Sequence, residues 1–303
     1  MAVITTGAHP KALWPGVQAW FGAKYDEHPV ECTALFDTSP RSKKNFEEDV
    51  QMTGFGLMPA KPEGNATTYD DHSQDWVKRY VPTAYSMGYI VTKEELDDNL
   101  YLERSFQRAG MLAFSARQTK ENVGANVYNR AFDSGYLGGD AKELLATDHP
   151  QSSGGTFSNE LAVAANLSEA SLEDIAIQIA NATNPRGLKI SLRPTSLVVP
   201  PALMFEAQRI LKSTLQSDTA NNDTNALRTM GVIPKVTINH YLTSTTAWFV
   251  RTNCPNGLKF IPRIGLEFTQ DNDFDTENAK AKCYERYDFG WTDPRGLYGS
   301  AGV

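Results

Sequence analysis

One stretch, from Thr92 to about Phe132, constrains the fold more than any other, because its apolar side chains keep helical spacing far beyond the length of an ordinary helix. Leu96, Leu100, Phe106, Ala109, Ala113, Ala116, Val123, Val127 and Ala131 recur on one face, with Glu103, Arg104, Arg108, Arg117, Lys120 and Glu121 largely between them. Thr92-Lys-Glu-Glu95 has capping-box spacing at the start, and no proline interrupts. Gly110 and Gly124 each weaken the helix by about 1 kcal/mol relative to alanine. The spacing predicts one unbroken helix of about forty residues, a rod of roughly 60 Å. So long a rod suits the backbone of a flat, extended subunit better than the core of a compact domain.

The residues before the helix point the same way. Val77, Val81, Tyr85, Met87, Tyr89 and Val91 predict a long strand over Val77–Val91, and Val50, Met52, Phe55 and Leu57 mark a second. Between them, Lys61 to Ser73 is polar and rich in turn residues, so the pair reads as a long hairpin with a hydrophilic tip. A lone two-stranded hairpin is marginal in water. This one is expected to rest on something else, and another subunit is the natural candidate. The first forty-five residues scatter Trp14, Trp20, Phe21 and Phe36 among prolines, as an arm that packs its aromatics on other surfaces would. A short helix is expected near Val17–Lys24.

Beyond the long helix, loops run to about Thr156. A helix then follows from Leu167 to about Ala182, a buried strand at Ser196–Val199, and a helix opened by Pro200-Pro201. Asn221–Asn225 reads as a turn-rich loop. Strands are expected at Lys235–Tyr241, Thr246–Arg251 and Leu258–Pro262, which makes Leu167–Pro262 a compact α/β unit. Glu277–Trp291 places Ala279, Ala281, Cys283, Tyr287, Phe289 and Trp291 on one face of another long strand. That strand is expected to pack with the long helix, enclosing the compact unit as an insertion.

No enzymatic motif is complete. Walker, dinucleotide, nucleophile-elbow and His-Glu-x-x-His patterns are absent, and the five histidines lack metal-ligand spacing. Asp271, Asp273 and Asp275 hold calcium-loop positions, but Thr276 and Lys282 stand where glycine and glutamate are needed, so an acidic turn is expected. Asp148-His149-Pro150 has no nucleophile beside it and reads as a structural loop. No metal or cofactor is therefore expected. The net charge of −7 gives the whole chain no nucleic-acid footprint. The N-terminus carries no signal-like segment, and no apolar run approaches a membrane span. Three widely spaced cysteines read as free thiols in a reducing compartment.

Several stretches, in this order and spacing, resemble the major capsid proteins of tailed bacteriophages, in the group similar to the Mu-like major head subunit. They are Tyr89-Ile-Val-Thr-Lys-Glu-Glu-Leu96, Leu144-Leu-Ala-Thr-Asp-His-Pro150, Gly154-Gly-Thr-Phe-Ser-Asn159, Ser196-Leu-Val-Val-Pro-Pro-Ala-Leu203, Ala207-Gln-Arg-Ile-Leu211, Ala247-Trp-Phe-Val250, and Asp288-Phe-Gly-Trp-Thr-Asp-Pro-Arg-Gly-Leu-Tyr-Gly-Ser-Ala-Gly302. The first forty-five residues match least.

The resemblance implies an α+β, Hong Kong 97-type subunit. Its parts would be an N-terminal arm (1–46), an extended hairpin loop (47–91), a peripheral domain on a spine helix (92–160 and 263–303) and an axial domain (161–262), and it leaves the last residues free to return to the axial domain. It implies self-assembly as pentamers and hexamers around loosely held double-stranded DNA, in a virion put together in the bacterial host cytoplasm. Scaffold, portal and decoration proteins are the expected partners, and a removable N-terminal scaffolding extension, common in relatives, is not seen. Intersubunit contacts are expected from Lys61, Pro62, Glu63, Gly64, Tyr69, Asp70 and Asp71 at the hairpin tip and from Trp14 and Trp20 on the arm. An encapsulin-type compartment shell and, from another class, a soluble α/β enzyme are the alternatives.

Overall fold

The computed structural model describes residues 14–97, 101–216, 223–273 and 275–303, with the side chains of 14–16, 96–97 and 101–105 outside that description. Helix α1 (Trp14–Glu27) is longer than the sequence pattern predicts and lays Val17 and Phe21 inward. A short 3-10 turn at Cys32–Ala34 follows. Strands β1 (Glu47–Met52) and β2 (Gln74–Tyr80) pair antiparallel as a hairpin. Strand β3 (Thr83–Val91) begins only after Val81-Pro82. Proline has no N–H to give a ladder, and the single strand expected over Val77–Val91 divides there. β2 stays with β1 while β3 enters another sheet.

The expected rod divides too. Helix α2 covers Lys93–Asp97 and α3 covers Tyr101–Asn129. Leu100 lies outside the described residues, as do the side chains of Leu96, Glu103 and Arg104. The Glu95 carboxylate is 2.7 Å from the Arg108 guanidinium. On one continuous helix these residues would stand about 20 Å apart, so α2 folds back beside α3. The Thr92 hydroxyl still accepts from the Glu95 amide at 3.4 Å. α3 alone has 29 residues, a rod of about 43 Å, and ends in turns before Phe132.

Strands β4 (His149–Pro150) and β5 (Thr156–Phe157) form a small pair. Helix α4 (Glu169–Ala180) starts with a Ser168–Ser171 capping box. Next come β6 (Pro194–Val199), a 3-10 turn opened by Pro201, α5 (Met204–Lys212), α6 (Ala226–Met230), β7 (Val236–Ile238) and β8 (Trp248–Thr252). The chain finishes with β9 (Leu258–Asn272), β10 (Ala279–Trp291) and β11 (Leu297–Ser300).

Two sheets carry the body. In the first, β10 lies between β3 and β9, all antiparallel, and α1 and α3 cover one face. β9 runs well past the expected end at Pro262, so the boundary expected at Arg263 falls inside a strand. In the second, the order is β11-β8-β6-β7, with only the β6–β7 pair parallel. Leu197, Val199, Trp248, Val250 and Tyr298 face α4, α5 and α6 on one side of it. Val198, Phe249 and Leu297 face Tyr128 of α3, Leu35 and Phe36 on the other. β11 lies beside β8 at the edge of the inserted sheet.

Candidate subunit interface

The first strand of the hairpin is built inside out. A strand against a protein body ordinarily turns its apolar side chains inward. In β1 the inward positions are Glu47, Asp49 and Gln51, and Val50 and Met52 face outward. The inward polar groups all have partners. Asp49 pairs with Lys259 and accepts from the Thr292 hydroxyl at 2.8 Å, and Gln51 donates to Asp293 at 3.2 Å. From β2, the indole of Trp76 donates to the Thr292 carbonyl (3.0 Å), and the buried Tyr80 hydroxyl meets the Thr292 hydroxyl at 2.7 Å. Lys78 reaches the Leu137 carbonyl beneath Trp291, and burial pulls its ammonium pKa down. A polar network centred on Thr292 thus fixes the hairpin's root. Outside, Val50 (41 %), Met52 (45 %) and Val77 (36 %) remain exposed with no cover.

Past the Thr53–Ser73 pair the hairpin has no regular structure, so the strand expected through Phe55 and Leu57 stops at Met52. Leu57, Met58 and Tyr69 are 81 %, 94 % and 92 % exposed, and Phe55 leans edge-on to His72. Lys61, Pro62, Glu63 and Gly64 form an exposed turn closed by the Asn65 amide on the Pro62 carbonyl, with Gly64 at φ 83°. Asp70 and Asp71 are not free. Arg186, from the loop after α4, grips Asp70 through both guanidinium nitrogens (2.7 and 3.2 Å) and reaches the Asp71 carbonyl. This ion pair and the Gly56 amide hold the Asp70 carboxyl below the usual carboxylate range.

On the arm, Trp20 is partly exposed, packs edge-on to Phe106 at 5.6 Å and lies under the Lys24 ammonium. With Met111 and Phe114 it lines an open apolar groove between α1 and α3. The side chain of Trp14 lies outside the described residues. Three of the charges that lie between the apolar positions of the long helix receive the arm. Buried Arg117 donates to the Tyr25 carbonyl (3.1 Å), and fully buried Glu121 accepts the amides of Glu31 (3.2 Å) and Cys32 (2.7 Å). Lys120 pairs with Glu285 of β10 and donates to the Tyr25 hydroxyl. Periodicity alone cannot find these, because a charge facing a polar backbone looks the same in sequence as one facing water.

The other chemistry-bearing groups are structural. His149 is fully buried, with Nδ1 at 2.6 Å from Asp140 and Nε2 at 3.0 Å from Asn159, and stacks on Phe157. Asp148, its sequence neighbour, pairs with Lys142 instead. Neither ring nitrogen is available to a substrate. Asp273 is held by Lys280 in the turn between β9 and β10. Among the described residues, no group of three or more His, Cys, Asp or Glu could hold a metal ion, and no helix is long and apolar enough to cross a membrane.

A family model described as phage capsid protein matches residues 77–300, about three-quarters of the chain. The chain belongs to that family. It is a phage capsid protein by family, with the Hong Kong 97-type α+β fold. No curated protein sequence matches it. Solved structures agree on the fold. The Mycobacterium phage Patience structure aligns with TM-score 0.53 at 14% identity over 98% of this chain and 88% of that one. The procapsid of bacteriophage JBD30 aligns with TM-score 0.51 at 14% identity over 98% and 76%. A virus-like particle from Pyrococcus furiosus aligns with TM-score 0.52 at 9% identity over 95% and 98%. The fold alone therefore occurs in more than one kind of particle, and the family match assigns this capsid protein to phage. The matched span starts inside β2, so the arm and the first strand of the hairpin lie outside it.

Proposed function

We propose that this capsid protein closes its shell through the hairpin, with the β1–β2 hairpin (47–80) of one subunit, the part of the expected 47–91 loop that stands outside the main sheet, lying across another in pentamers and hexamers. The row Val50, Met52 and Val77, turned away from its own subunit, carries this reading. Exposed apolar surface costs about 25 cal/mol per Å², and a contiguous uncovered row marks an interaction site. A second copy is the fitting cover, since every subunit brings the same row and the contact is repeated around the shell. Trp20, beside its apolar groove, and the tip residues Lys61–Asp71 are the further contacts of this reading. The domain roles follow: an arm at 1–46, a peripheral part at 92–160 and 263–303, and an axial part at 161–262, with β11 attached to the axial sheet.

The shell encloses double-stranded DNA without gripping it, because a net charge of −7 beside phosphate would repel. Assembly takes place in the host cytoplasm with separate scaffold, portal and decoration proteins, and the subunit performs no catalysis. The test is the triple variant Val50→Thr, Met52→Gln, Val77→Thr. These side chains face away from the subunit body, so circular dichroism and melting should stay as in wild type while closed particles are lost or strongly reduced. Normal particles would refute the interface, and an unfolded variant would place the row in the subunit's own core.

A further inference from the structure

We infer that Arg186 is the positioning residue of the hairpin: it fixes the angle at which the arm leaves the subunit, so that neighbours meet it in one geometry and shells of one size form. This rests on the hairpin being the intersubunit arm.

Beyond Thr53–Ser73 the hairpin has no ladder and no sheet beneath it, and such a ribbon swings freely unless held. Among the described residues, the hydrogen bonds tying 54–72 to the rest of the subunit all end on Arg186. Its Nη1 donates to the Gly54 carbonyl (3.2 Å) on the outgoing leg, and to Asp70 Oδ2 (2.7 Å) and the Asp71 carbonyl (3.1 Å) on the returning leg. Its Nη2 donates to Asp70 Oδ1 at 3.2 Å. Asp70 Oδ2 in turn accepts the Gly56 amide at 2.7 Å, so one guanidinium locks both legs at once. A planar fork on a carboxylate gives direction as well as attraction.

The turn that bears Arg186 is itself rigid. The Asn184 side chain accepts the amides of Arg186 (3.0 Å) and Leu188 (2.8 Å), and the Gly187 amide donates to the Asn184 carbonyl (2.9 Å). The Ser153 amide donates to the Pro185 carbonyl at 3.0 Å, which ties the turn to a second loop. Gly187 sits at φ 80°, a conformation the turn needs and other residues resist.

Leverage makes the angle matter. From Asp70 to Glu63 the chain extends up to about 23 Å, so a swing of about 10° at the clasp moves the tip by about 4 Å. That is enough to misplace the exposed tip side chains Leu57, Met58 and Tyr69 on a neighbour. Both partners are roughly a third exposed or more, at 31 % and 41 %, and exposed pairs add little to folding stability. A structural role and a positioning role therefore separate experimentally.

The experiment uses the full chain as wild type, Arg186→Ala, Asp70→Ala, the double variant and Arg186→Lys. Amide hydrogen exchange of 53–73 is followed in the dilute, unassembled subunit, and particle diameters are measured by electron microscopy. Arg186→Ala should melt with wild type, exchange roughly tenfold or more faster at the Gly56 amide, whose acceptor Asp70 the clasp holds, and give particles of mixed diameter or open sheets. The double variant should be no worse than Arg186→Ala, because the two residues act as one contact. Arg186→Lys, which lacks the fork, should stay closer to Arg186→Ala than to wild type. Unchanged exchange overturns the clasp. Uniform wild-type particles overturn its role in assembly, as does a folded Arg186→Ala that forms no particles, since Arg186 would then be a contact in its own right. Failure of the interface reading is distinct: the outward-row triple variant would assemble normally whatever Arg186 does.

Discussion

At the scale of single residues, buried polar side chains hold this subunit together. Asn159 is fully buried; its amide donates to the carbonyls of Leu144, Pro294 and Leu297, while its oxygen accepts from the Ala146 amide and meets His149. It ties the loops after α3 to the last strand. The polar atoms of Asn159 and both ring nitrogens of His149 are thus spent on holding loops together. The Lys120–Glu285 pair joins α3 to β10 and reaches Tyr25 of α1. Burial pushes the Glu285 carboxyl up, with Lys120 opposing, while the Lys120 ammonium is raised because Glu285 and Tyr25 outweigh its own desolvation. Lys120→Met should destabilise the subunit by roughly 3–5 kcal/mol, because it strands a buried carboxylate, and adding Glu285→Leu should recover most of that. The sign with pH follows. A carboxyl whose pKa is raised by folding is least unfavourable when protonated, so the Lys120→Met deficit should shrink as pH falls into the carboxylate range. Urea unfolding of the single and double variants across pH checks this; a single variant as stable as wild type, or a double variant no better than the single, contradicts it.

At the scale of elements, the apolar period was legible wherever one face is buried against the same subunit. β10 alternates buried and less buried positions as its sequence does, and α4 starts and stops close to its cap and turn signals. The signal failed where a local break overrides a running pattern. Pro82 divides an otherwise continuous strand, and the ion pair from Glu95 to Arg108 reveals a fold-back that helical spacing cannot register. The hairpin's inverted burial was illegible for a related reason: Val50 and Met52 alternate properly, but nothing in the sequence says which face has a partner in the same chain. Gly290, by contrast, has a reason that only packing supplies. A Cβ there would stand 2.8 Å from the Tyr80 ring, which is buried and pinned through its hydroxyl to Thr292. Gly290→Ala should cost roughly 1–3 kcal/mol as overpacking, with faster hydrogen exchange in β2; unchanged stability and exchange would show that the hairpin root tolerates displacement.

At the scale of the whole molecule, the sequence resemblance carried the architecture further than the patterns did. It implied an arm, a hairpin, a spine helix and an inserted unit; the boundary it suggested at Arg263 cuts β9, and β11 lies at the edge of the inserted sheet. The observed feature at this scale is a polar-rooted hairpin whose apolar row faces outward, and the proposed interface predicts that copies of the chain cover it. The measurement that tests this most directly is an electron cryomicroscopy reconstruction, at side-chain resolution, of particles assembled from the full chain. A closed icosahedral shell in which Val50, Met52 and Val77 of each subunit are buried against a neighbouring copy is the predicted result. A closed shell with that row open to solvent, or packed within its own subunit, would contradict it.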